Sequence, residues 1–225
     1  LHVEFAGRRL DEMNAITSSD ASGKEEKVKT AVDGFKQEIA SVNDELMNVQ
    51  NSNPDQAGAL AIIVDQKTDE YRATIAKSEP ALTDEGKTNV ADALGAAKDS
   101  NAQAVNALVT SNETAEKPQT TESLQKNFQN ELKDLNTRTA LSLGRLAVIE
   151  TALAGRTGVD PTYAGRIKEA RIAVSSHGDA VQQAMGVLAA GGYRKAFELL
   201  AGIDADISRS EDIITELEID ITTGL

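Results

Sequence analysis

A run of apolar residues between Val28 and Val49 constrains this chain more than any other feature. Val28, Val32, Phe35, Ile39, Val42, Leu46 and Val49 follow one another at alternating gaps of four and three. That is the a/d spacing of a helix with a continuous seam, and a strand, which alternates faces every two residues, cannot gather these residues on one side. Such a helix has to lay its seam against other helices. Ser22, with Glu25 three places on, supplies a capping box at its start.

The remaining segments read in the same way. A first helix over 1–16 turns Val3, Ala6, Leu10 and Met13 inward, and a polar connector over 17–23 follows it. Asn53-Pro54 ends the seam helix and starts a third, because Asn caps and Pro is tolerated at the first helical position. The third helix carries Ala57, Leu60, Val64, Tyr71 and Ile75 inward and stops at Glu79-Pro80. Thr83 or Asp84 caps a fourth, whose inner face is Val90, Leu94, Ala97, Asn101, Val105 and Leu108. A fifth runs from about Ser123 to Ala154, with Gly144 as a weak point. The sixth starts at Asp160-Pro161 and buries Tyr163, Ile167, Ala170, Val174, Val181, Met185 and Leu188. Gly191-Gly192 forms a tight turn into the last, with Ala196, Leu200, Ile203, Ile207, Ile214, Leu217 and Ile221 inside.

These patterns predict an all-α fold: elongated antiparallel helical bundles of about seven helices. Aromatic residues make up only 3% of the chain, so the core rests on Ala, Val, Ile and Leu, which suits closely spaced helices. The stretch 110–123 (TSNETAEKPQTTES) is polar, lacks periodicity and contains Pro118. It divides the chain into a four-helix bundle over 1–112, a linker over 113–122 and a three-helix bundle over 123–225. The two bundles are candidates for related units. Val28, Phe35, Val42 and Leu46 stand at one constant offset from Ile167, Val174, Val181 and Met185, and the offset survives the turn to Val64 and Ile203, and Ile75 and Ile214. Heptad patterns slide into agreement easily; a shared spacing across a turn is the part that chance does not supply.

Charge and chemistry narrow the function. A net charge of −13 opposes phosphate backbones, so no nucleic-acid binding is expected. No run reaches the roughly 18 apolar residues of a membrane span, so no membrane insertion is expected within the chain. Cysteine is absent, which removes disulfides and thiolate chemistry. No phosphate-cradling Gly-rich loop, nucleophile elbow or Glu-x-x-His pair occurs. The expectation is therefore a non-enzyme with no catalytic, cofactor-binding or metal-ligating residues. Two polar residues fall on apolar seams and mark a possible polar core or pocket: Asn101 and His177. Each has a bland reading, a register-setting amide and a hydrogen-bonded core histidine, beside a ligand-binding one.

The segment Phe5-Ala6-x-Arg8-Arg9-Leu10-Asp11-Glu12-Met13 opens a recognisable order. A helix like 28–49 follows, then one with Val64-Asp65-Gln66-Lys67-Thr68-Asp69-Glu70-Tyr71, then an Ala-rich helix over 90–108. Over about residues 1–110 this resembles an uncharacterised family of all-helical extracytoplasmic bacterial domains, often found behind a membrane anchor. The resemblance implies a place outside the cytoplasm and a structural or binding role; no functional residue carries over from it.

The expected function is that of a non-enzymatic extracytoplasmic helical bundle, secreted or anchored at the cell surface. It would serve as a structural, assembly or protein-binding module of the envelope, with a protein partner or self-assembly. The alternative function is a ligand-sensing ectodomain of a membrane-anchored signalling protein, and the alternative location is the cytoplasm. The chain opens on Leu1 rather than Met, which leaves room for a leader or anchor ahead of it. Glu216, Glu218 and Asp220 near the end of the last helix oppose its dipole, so the helix is expected to continue or dock beyond Leu225.

Overall fold

A computed structural model describes residues 1–19, 23–78, 84–114, 118–154 and 161–223. The fold is all-α. Seven helices account for the described residues: α1 His2–Thr17, α2 Lys24–Ser52, α3 Pro54–Ser78, α4 Asp84–Thr114, α5 Pro118–Ala154, α6 Pro161–Ala189 and α7 Tyr193–Thr223. Asn53 alone separates α2 from α3; its Oδ1 accepts from the Gln56 backbone N–H at 3.3 Å, the expected cap. Gly23, in the left-handed region at φ 69°, is the N-cap of α2. Ser22, Glu79-Pro80, Thr83 and Asp160 lie outside the described residues.

The chain divides into two compact units, Leu1–Leu124 and Gln125–Leu225. In the first, α1 and α4 each pack on both α2 and α3. The Val28–Leu46 seam is internal: Val28, Val32, Phe35, Ile39, Val42 and Leu46 are all buried. Phe35 meets Tyr71 edge to face with centroids 5.6 Å apart. The Tyr71 hydroxyl donates to the Val3 carbonyl of α1, which ties α1 to α3. Burial, then the neighbouring Glu70 charge, pushes the Tyr71 phenol up to about 12, so it stays a donor throughout the physiological range. Ala57 and Ala61 of α3 and Ala93, Ala97, Ala104 and Ala107 of α4 are buried, and small side chains let helix axes come close. Gly58 sits close against α4: a Cβ there would fall 2.5 Å from Ser111 Oγ and 3.2 Å from Ser111 Cβ.

The polar stretch expected to form a linker over 113–122 is helical wherever it is described. Residues 113–114 end α4 and 118–122 begin α5. Pro118 opens a helix, since a proline needs no hydrogen-bond acceptor in the first turn. Ser111 and Thr120 are buried, and Thr121 Oγ1 donates to Asn112 Oδ1 at 2.9 Å. The boundary between the units falls inside α5, between Leu124 and Gln125. At 37 residues α5 is the longest helix, and it passes through Gly144 unbroken.

In the second unit Leu146 and Ile149 of α5, Ile167, Ala170 and Val174 of α6, and Ile214 and Leu217 of α7 form one cluster. The seam of α6 reads Ile167, Ala170, Val174, His177, Val181, Ala184. Met185, expected inside, is 44% exposed; Ala184 takes its place because the three–four alternation continues through His177. Gly191, at φ 77°, makes the turn into α7. The buried stripe of α3 (Ala57, Ala61, Val64, Thr68, Tyr71, Ile75) has the register of that of α7 (Ala196, Leu200, Ile203, Ile207, Ser210, Ile214). The same offset relates Val28, Ala31, Phe35 and Val42 of α2 to Ile167, Ala170, Val174 and Val181 of α6. The hairpins thus keep one register between α3 and α7, but between α2 and α6 it breaks past Phe35 and Val174: buried Ile39 and Leu46 correspond to exposed Gly178 and Met185.

Candidate functional site

Asn101 and His177 are both buried, one in each unit. Asn101, on α4, is 7% exposed. Its Nδ2 donates to Asp65 Oδ1 at 2.9 Å and to Thr68 Oγ1 at 3.1 Å, and lies 3.5 Å from the Asp65 carbonyl. Thr68 Oγ1 in turn donates back along α3, to the Val64 and Asp65 carbonyls at 2.8 and 3.0 Å. The amide thus bridges α4 to two side chains one turn apart on α3. Sliding either helix by a turn would strand a buried amide and a carboxylate, each costly to leave unpaired. A further polar link, Ser100 Oγ to Asn43 Oδ1 at 2.7 Å, holds α4 to α2. The donors of Asn101 are committed to the protein's own acceptors.

His177, on α6, is 3% exposed. Its Nδ1 is buried and makes no hydrogen bond among the described residues. Burial holds the imidazole below its ordinary range; Asp206 of α7 pulls it up and Arg138 of α5 pushes it down. The ring is therefore a neutral core group at pH 7 with one nitrogen unspent.

The residues that bind the second unit together electrostatically escaped the sequence reading. Arg138 of α5 donates from Nε to Glu211 Oε1 at 3.0 Å and from Nη2 to Glu211 Oε2 at 2.7 Å; Nη2 also reaches Ser208 Oγ at 2.9 Å and Nη1 reaches Asp204. One heptad on, Arg145 repeats the motif. Nε and Nη2 grip Glu218 at 2.9 and 2.7 Å, and Nη2 reaches Thr215 Oγ1 at 2.9 Å. Each Arg–Glu pair spans 73 residues and each Arg–hydroxyl pair 70. A constant offset requires α5 and α7 to run parallel. The signal was present as Arg at 138 and 145, Ser/Thr at 208 and 215, and Glu at 211 and 218. Burial would lower the Arg138 guanidinium, but its bonds to Glu211 and Asp204 outweigh that and raise it. The Arg145 guanidinium holds the Glu218 carboxyl below its usual range.

Arg166 of α6 pairs with Glu216 at 2.8 Å and Asp220 at 3.2 Å, and Arg171 grips Glu150 of α5 at 3.0 and 2.7 Å. The acids near the end of α7 are thus held by arginines of α5 and α6, which offsets their unfavourable place in the helix dipole. These acids belong to helix–helix bridges.

An open groove of about 720 Å³ lies between α5 and α6 of the second unit, lined by Leu132, Lys133, Asn136, Thr137, Leu141 and Met185 among others. Among the described residues no group of three or more His, Asp or Glu is placed to hold a metal ion, and no helix is long and apolar enough to cross a membrane. No protein-family model, curated protein or solved structure matches the chain.

Proposed function

We propose that this protein is a non-enzymatic helical module of the cell envelope or surface, working as a spacer, assembly element or protein-binding platform. One observation carries the reading. In the second unit charged side chains are drawn into bridges between helices, while large apolar residues stay outside: Leu141 and Val148 on α5, Ile172 and Met185 on α6, and Ile219 on α7. Such a surface is suited to meeting other proteins. The resemblance of the first unit to extracytoplasmic bacterial domains supports the location. Protease shaving of intact cells expressing the full-length gene tests it. Release of fragments of this chain from unbroken cells is the expected result; protection until lysis would place the protein inside and sink the envelope reading.

A second reading, a ligand-sensing ectodomain, is favoured by the unspent Nδ1 of His177. A small polar ligand held there would raise the melting temperature of the wild-type chain and leave His177→Leu unmoved. A thermal-shift screen in which no compound separates the two proteins would remove this reading.

A further inference from the structure

The outward face of α5 is composed of Asn136, Thr137, Ala140, Leu141, Gly144, Ala147, Val148, Thr151 and Ala152. All nine are exposed, with Leu141 at 63% and Val148 at 70%, and none is charged. In a chain with 26% charged residues this is an uncommon strip. Of the charges beside it, Arg138 and Arg145 grip α7 and Glu150 is held by Arg171, while the exposed Lys133 closes the strip at its N-terminal end. We propose that this face is where a second copy of the chain docks, antiparallel, about a two-fold axis at Gly144.

Three arguments select a second copy over another partner. First, the face is complementary to itself. Positions equidistant from Gly144 pair a large residue with a small one: Leu141 faces Ala147, and Val148 faces Ala140. Thr137 faces Thr151, and Asn136 faces Ala152. A two-fold contact demands such reciprocity, each residue meeting its mate twice. Second, two copies each carrying −13 repel over most of their surfaces, and an uncharged strip is where they approach without that cost. Third, Gly144 weakens the middle of α5, yet a Cβ there would meet nothing within 4 Å in the chain's own fold. Several other helical glycines share that freedom, but this one stands at the centre of the symmetry, where a missing side chain lets two helices touch.

The strip covers about 25 Å of helix and about 10 Å of width, so the footprint is only about 250 Å² per copy. That is well below the roughly 800 Å² per partner of a standard interface, so the pair is transient in dilute solution and gains from crowding on a surface. The proposal rests on the assembly reading above, but the two fail separately: cell shaving reports location, and the following experiment reports pairing.

The chain has no cysteine, so a single introduced thiol is a clean probe. A residue on the axis faces its own copy, and Gly144→Cys is expected to oxidise to a disulfide dimer at least about tenfold faster than an exposed control on the first unit, Ile63→Cys. Leu141→Cys mixed with Ala147→Cys is expected to give the mixed dimer ahead of either self-dimer, which a parallel pairing would reverse. Gly144→Ala should raise the melting temperature, because alanine favours helix, while weakening self-association in sedimentation at about 0.5 mM several-fold. A purely structural role for Gly144 would not give these opposite signs. If Gly144→Cys dimerises no faster than Ile63→Cys, a second copy is not the occupant and the proposal is overturned, leaving the face to a different partner.

Discussion

A methyl group added at Gly58 would fall well inside van der Waals distance of Ser111, and that distance decides a conflict between two effects. Alanine gains about 1 kcal/mol over glycine in a helix interior. Here the gain is opposed by overpacking between α3 and α4, worth about 1–3 kcal/mol. The net expectation for Gly58→Ala is a loss of about 1 kcal/mol in urea unfolding, with part of it recovered in the double variant with Ser111→Gly. An unchanged or higher midpoint for the single variant would mean that the helices have slack to give. His177 supplies a second test at this scale. Its folded-state pKa lies below the unfolded value, so the unfolded chain binds the proton first. The neutral ring's contribution is intact above about pH 6.5 and is lost as pH falls from there toward the folded value. Wild-type melting temperature should drop between about pH 7 and pH 5 more steeply than that of His177→Leu. Parallel curves would show that other groups set the acid limit.

At the scale of elements, the paired arginines of α5 carry the clearest expectation. Arg138→Ala leaves Asp204 and Glu211 facing one another without a cation in a part-buried site. The expected cost is about 2 kcal/mol, between that of a surface pair and that of a buried one. Arg145→Ala acts on a more exposed pair and should cost about 1 kcal/mol or less. Comparing the two midpoints tests the ranking, and equal losses would show that burial is not what separates them. Helices and their inner faces were legible because a three–four alternation of apolar residues has one interpretation. The start of α5 was not. Its first turns bury small hydroxyl residues such as Thr120, whose polarity reads as a loop although their size is what the helix contact needs. The seam of α6 was misread by one position at Met185: the step after Val181 is three rather than four, so the small Ala184 is buried in place of the larger methionine beside it. Asn101 was found as a polar seam residue, whereas its partners Asp65 and Thr68 depend on how α3 and α4 align, which no single helix pattern contains.

For the whole molecule, the division inside α5 is the testable feature. Each unit has its own apolar cluster: Ala6 to Ala97 in the first, Leu146 to Leu217 in the second. Fragments 1–124 and 125–225 are each expected to be helical on their own, and their far-ultraviolet circular dichroism should sum to that of the intact chain. A first fragment that is unfolded alone would show that it borrows stability across the cut. The count of helices in the second unit has a mechanical consequence. Three antiparallel helices admit the chain at one end and release it at the other, about 45 Å away for helices of this length. Tension between those two points pulls along the helix axes. It loads the Arg138 and Arg145 clamps and the apolar seam together, in shear, instead of peeling them apart one turn at a time.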